Sequence, residues 1–173
     1  MMQLLIRLVR PQRILEIGTS MGYSTVSMAS AAKEYGGKIT TIDYDEQSAK
    51  QAIKNFKHAG VAELVEVIIG DAKEIIPTLK ESFDLVFQDV GDKKLYPILL
   101  NNLVTLLKPA GVFLAEDSLL PAMDVNISKS EDFCRVQCIY SLEEFNKLIA
   151  HCPFLSSAIL PIGDGLTIGI KLG

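Results

Sequence analysis

The sequence predicts one α/β domain: a mostly parallel seven-stranded sheet, helices on both faces, and an antiparallel hairpin near the C-terminus. Three observations predict it. Apolar strand-like runs alternate with helix-period segments through the first two thirds of the chain. The first run, Arg13-Ile14-Leu15-Glu16-Ile17, ends in a glycine-bearing turn that enters a helix, Gly18-Thr19-Ser20-Met21-Gly22-Tyr23-Ser24. Far along the chain, Gly163-Asp164-Gly165 separates two apolar runs, a strong hairpin signal.

With 173 residues and 49% hydrophobic content, the chain has apolar material for one core, so residues 1–173 read as a single domain. Its first nine residues are apolar, but Arg7 interrupts them. Arg10-Pro11-Gln12-Arg13 follows where a cleavage site would lie, so this segment reads as a short core helix and not a leader. Strands are expected over Ile14 to Ile17, Lys38 to Ile42, Leu64 to Ile69, Leu85 to Gln88 and Gly111 to Ala115. Between them, Ser24 to Lys33, Glu46 to His58, Ala72 to Leu79 and Tyr96 to Leu107 carry helix periodicity, with Gly60, Pro77 and Pro109 near the helix ends. Pro121 to Gln137 is polar and unpatterned and reads as a long loop. Ser141-Leu142-Glu143-Glu144 then reads as a capping box opening a helix to about His151, and Ala158 to Pro161 and Leu166 to Lys171 form the hairpin.

Net charge is −4 and no run of Lys or Arg exceeds two, which disfavours nucleic acid as a partner. No apolar stretch reaches the length of a membrane span. Three cysteines cannot all pair within one chain, and the expected setting is reducing and cytoplasmic. Cys134 and Cys138 lack a third partner at the spacing an iron–sulfur or zinc motif needs.

Ligands of open parallel sheets sit beyond the carboxyl ends of the strands, and here those ends are acidic. Glu16 precedes Gly18, the second strand ends in Asp43, the third leads into Gly70-Asp71-Ala72, the fourth ends in Asp89, and the fifth in Glu116-Asp117-Ser118. In the first turn, Ser20 stands where a dinucleotide fingerprint has its second glycine, so a diphosphate would lack close backbone approach. The turn suits S-adenosylmethionine better than NAD. Asp43 is placed to accept from both ribose hydroxyls, Asp71 with the Ala72 amide to read an adenine edge, and Glu16 with Ser24 to meet the amino-acid end. Taken singly, each of these acids could equally be a helix cap or a solvated loop residue. Asp89 and Asp117 at neighbouring strand ends repel unless a cation or a shared proton lies between them, and oxygen ligands of this kind suit Mg²⁺ or Ca²⁺.

These residues resemble a known family. Ile14-Leu15-Glu16-Ile17-Gly18-Thr19 with Gly22-Tyr23-Ser24, Gly37-Lys38-Ile39-Thr40-Thr41-Ile42-Asp43, Gly70-Asp71-Ala72, Phe83-Asp84-Leu85-Val86-Phe87-Gln88-Asp89 and Leu160-Pro161-Ile162-Gly163-Asp164-Gly165-Leu166-Thr167 are similar to the cation-dependent O-methyltransferases. That family includes the catechol and caffeoyl-CoA enzymes and their bacterial relatives. The resemblance implies the Rossmann-like class I fold of S-adenosylmethionine-dependent methyltransferases and transfer of a methyl group to a hydroxyl of a small, catechol-like acceptor. It also implies a homodimer. Glu16, Gly18, Ser20, Gly22, Ser24, Asp43, Asp71, Ala72 and Asp89 are implied to surround the cofactor. Asp89, Asp117 and Ser118 are implied to hold a divalent cation, and a lysine after Asp89 to be the general base, Lys93 or its neighbour Lys94.

The sequence departs from the family pattern in three places: an extra residue at Gly91, Ser118 in place of an asparagine, and no N-terminal lid helices ahead of the first strand. Three alternatives follow. One is a metal-independent methyltransferase, or a protein of this fold that only binds the cofactor; a second is an NAD-dependent oxidoreductase; a third is a pure assembly module.

Overall fold

The computed structural model describes residues 1–120 and 133–173. Seven strands form one sheet in the order β3-β2-β1-β4-β5-β7-β6. They are β1 (Arg13–Ile17), β2 (Lys38–Asp43), β3 (Val65–Ile69), β4 (Phe83–Gln88), β5 (Leu107–Ala115), β6 (Leu155–Leu160) and β7 (Leu166–Lys171). The first five pair in parallel, while β7 pairs antiparallel with both β5 and β6. The predicted mostly parallel sheet with its C-terminal hairpin is therefore the observed one.

Alternation along the strands divides the core into two layers. Ile14, Ile39, Leu85, Phe87 and Leu114 face α1 (Met2–Val9), α2 (Tyr23–Ala32) and α3 (Glu46–His58), meeting Ile6, Met28, Ala52 and Phe56. Leu15, Ile17, Val86 and Phe113 face the other way, onto α5 (Leu95–Leu106) and α6 (Phe133–Ala150), where Tyr96 and Phe145 pack edge to face with centroids 5.3 Å apart. The predicted N-terminal core helix is α1, which buries Met2 and Ile6.

Several boundaries differ from expectation. The helix expected over Ala72 to Leu79 is α4 (Ala72–Ile75) followed by a 3₁₀ turn over Ile76–Thr78, because Pro77 has no N–H to continue the α ladder. The helix expected to open at Ser141 instead begins at Phe133, so Ser141 is not a cap. Its hydroxyl donates to the Gln137 carbonyl at 2.9 Å, one turn back, and Ile139, Leu142, Phe145 and Ile149 supply the buried stripe that carries the helix through this point. Residues 133–137 are thus helical, and the rest of the long loop expected from Pro121 lies outside the described residues. Among the described residues, no helix is long and apolar enough to cross a membrane.

Candidate active site

The carboxyl ends of β2 to β5 place Asp43, Asp71, Asp89 and Glu116 around two neighbouring cavities that share Gly18. The turn after β1 is shaped by glycine. Gly18 has φ 101°, and a Cβ there would overlap the backbone carbonyl of Asp89 at the end of β4. Only a residue without a side chain lets the two strand ends come so close. Gly22 (φ 81°) starts α2 with its Cα against the Phe56 ring.

The larger cavity, about 450 Å³, is lined by Gly18, Asp43, Tyr44, Gly70, Asp71, Ala72, Val90 and Leu95 among others. Asp43 accepts the backbone N–H of Ser20 at 2.6 Å and of Asp45 at 2.9 Å, so its carboxylate ties the first turn to the second strand. Asp71 caps α4, accepting the Lys73 N–H at 2.8 Å, and that bond holds its carboxyl below the ordinary range. The smaller cavity, about 290 Å³, brings together Gly18, Ser20, Met21, Tyr23, Ser24, Asp89 and Glu116.

Glu16 is not where the sequence reading put it. Its side chain is fully buried beneath the turn and lines neither cavity. The Ser24 hydroxyl donates to it at 2.5 Å, Thr41 at 2.7 Å, and Thr25 also donates. Burial pushes its carboxyl up to about 7, against the pull of those three hydroxyls. Glu16 thus reaches the smaller cavity through Ser24. Gly22 likewise lines neither of these cavities and serves the turn.

Beyond the ends of β4 and β5, Asp89 and Asp117 converge on one ammonium group. Lys93 Nζ pairs with Asp117 Oδ2 and lies 3.9 Å from Asp89 Oδ1. It also donates to the Val90 carbonyl at 2.7 Å and to the Tyr96 hydroxyl at 3.2 Å. Lys94 lies exposed at the start of α5, so of the two lysines it is Lys93 that reaches the carboxylates. Burial raises the Asp89 carboxyl and nearby Asp117 adds to this, with Lys93 opposing; Glu116 is raised chiefly by burial and then by Asp89 and Asp117.

Ser118, expected among the metal ligands, faces the interior. It is fully buried, with its hydroxyl 2.6 Å from that of Thr167 and 3.3 Å from the Ala115 carbonyl. Asp117 causes the divergence, because its left-handed backbone (φ 62°) turns the chain between the two side chains. Sequence reasoning missed Tyr96, Thr25 and Thr41 as supports, and Glu116 as a cavity wall. Glu116 had a signal, its place at a strand end; the two threonines had none.

Residues 1–172 match the O-methyltransferase family. Tapetum-specific methyltransferase 1 of Arabidopsis thaliana is 31% identical over 99% of this chain and 74% of its own length. A catechol O-methyltransferase of Niastella koreensis is 29% identical over 98% of this chain and 73% of its own. Among solved structures, the Streptomyces achromogenes O-methyltransferase TomG, in complex with SAM, superposes with a TM-score of 0.83 at 28% identity, covering 99% of this chain and 78% of that one. The SAH-bound Podospora anserina methyltransferase PaMTH1 gives 0.87 at 27% identity, covering 99% and 76%. With the family matched along nearly its whole length and its fold superposed on solved members, this chain belongs to the O-methyltransferase family.

Proposed function

We propose that the protein transfers a methyl group from S-adenosylmethionine to a hydroxyl of a small acceptor. The carrying observation is the pair of cavities meeting at Gly18, one walled by Asp43 and Asp71, the other by Ser24, Asp89 and Glu116. That division matches a cofactor with a nucleoside at one end and a reactive sulfonium and amino acid at the other. The residues fit it: Asp43 for the ribose hydroxyls, Asp71 and Ala72 for the adenine edge, and a bare Gly18 for close approach. Ser20 and Ser24 lie toward the amino-acid end, with Glu16 orienting the Ser24 hydroxyl. SAM and SAH in solved relatives support the same assignment.

When bound, the cofactor supplies an electrophilic methyl group. The protein's share is to hold the acceptor oxygen in line, keep water out and receive a proton. Asp89 is the proposed proton acceptor, since the residue lines the smaller cavity and burial raises its carboxyl, which makes it a stronger base than an ordinary aspartate. Lys93, with its ammonium donating to Asp117, positions this pair and is not itself the base.

The divalent cation implied by the resemblance does not fit this donor set. Lys93 stands between the two carboxylates, Ser118 is committed to Thr167, and among the described residues no three His, Cys, Asp or Glu side chains form a metal-holding group. No step here runs through a metal. The homodimer belongs to the same proposal, with Leu4 and Leu8, exposed on α1, as apolar surface for a second copy.

Calorimetric titration of SAM and SAH, followed by methyl transfer to a panel of catechols, tests the reading. Micromolar binding and a methylated hydroxyl are expected. No binding of either ligand would sink it, and protection from heat by NAD alone would point to an oxidoreductase.

A further inference from the structure

We infer that Lys93 is the built-in cation of this site, standing where a divalent metal ion would otherwise bridge Asp89 and Asp117, so that the protein works without metal. The inference deepens the proposed function and rests on it only for the identity of the site.

Two carboxylates at adjoining strand ends need a positive charge between them, and the side chain that meets both is Lys93. Its head group is fully engaged. An ammonium has three N–H donors, and here they have three acceptors: the Val90 carbonyl, the Tyr96 hydroxyl and Asp117. Lys93 is 8% exposed, so this is a buried, coordinated cation and not a surface lysine folded over. Its support is rigid, since Nζ lies 4.9 Å from the centre of the Tyr96 ring, and that ring is itself fully buried against Phe145.

A divalent ion bound by Asp89 and Asp117 would need oxygen atoms within about 2.0–2.6 Å and several further oxygen ligands. The ammonium blocks the first requirement, and the inward turn of Ser118 removes a candidate for the second.

The test compares wild type, Lys93→Met and Lys93→Arg, each titrated with Mn²⁺ by calorimetry, free and with SAH, and each melted with and without EDTA. Wild type and Lys93→Arg are expected to give no Mn²⁺ binding below millimolar and a Tm unmoved by EDTA. Lys93→Met is expected to melt lower, to regain stability with Mn²⁺, and to bind it at least about tenfold more tightly than wild type. Micromolar Mn²⁺ binding by wild type would overturn the inference, as would a folded Lys93→Met that gains no affinity for Mn²⁺. Should Lys93→Met not fold, wild type and Lys93→Arg still decide, because micromolar Mn²⁺ binding in either overturns the inference and its absence in both supports it. The SAH arm separates the two readings: loss of SAH binding defeats the proposed function, while the metal response of the free protein still judges Lys93.

Discussion

Replacing Glu16 with Gln should change how stability depends on pH, and the size and sign follow from the buried carboxyl. Its pKa is about 7 in the fold against an ordinary 4.5. Below pH 4.5 both the folded and unfolded chains hold the proton and no difference arises. Between 4.5 and 7 the unfolded chain loses it first, so the folded state binds more protons and stability falls as pH rises. Above 7 the deficit is complete. At about 1.4 kcal/mol per pH unit it amounts to roughly 3 kcal/mol. Glutamine keeps the shape and cannot ionise. Urea unfolding of the ligand-free protein at pH 5 and pH 8 should therefore show the two proteins within about 1 kcal/mol at pH 5. At pH 8 the variant should be more stable by about 2–3 kcal/mol. The comparison removes the contribution of Glu116, whose raised carboxyl is common to both proteins, while the charge of Asp89 helps raise Glu16 and is part of the difference measured. Parallel pH profiles for wild type and variant would refute the argument, since they would mean that Glu16 ionises in the fold as easily as in the open chain.

Three further outcomes are expected. Gly18→Ala should cost at least about 2 kcal/mol in thermal unfolding and abolish SAH binding, because the new methyl group meets the Asp89 carbonyl at a backbone angle of 101°. Asp43→Ala should weaken SAH about 10- to 100-fold by calorimetry, since it removes the proposed ribose acceptor and frees the Ser20 N–H. Ser118→Ala should lose about 1 kcal/mol of stability for its bond to Thr167 and leave the response to Mn²⁺ unchanged; a changed response would make Ser118 a metal ligand after all.

Much of this was legible in the sequence because strand ends announce themselves. An apolar run that stops at Gly18, Asp43, Gly70 or Asp89 marks both the edge of the sheet and the rim of the site, and Asp164-Gly165 marks the hairpin. What failed to show depends on contacts between distant segments. Glu16 reads as a ligand because it stands at the strand end just before Gly18, yet its partners Ser24, Thr25 and Thr41 come from α2 and β2, and no spacing rule finds the full set. The choice between Lys93 and Lys94 hung on a loop one residue longer than the family pattern. The helical start at Phe133 was hidden because Phe133-Cys134-Arg135-Val136-Gln137 carries no buried stripe of its own.

The latch between β5 and the hairpin divides the support of the site between two parts of the chain. Leu119 N–H bonds to the Asp164 carbonyl at 2.8 Å, Ser118 N–H to the Gly165 carbonyl at 3.2 Å, and Asn146 of α6 donates to the Ser118 carbonyl at 2.7 Å. The walls of the larger cavity all come from residues up to Leu95. The segment that carries Asp117 is held instead through Ser118 and Leu119 by the hairpin turn and by α6. The nucleoside pocket and the carboxylate that meets Lys93 thus rest on different parts of the chain, and loosening the hairpin turn would unseat the second while leaving the walls of the first untouched.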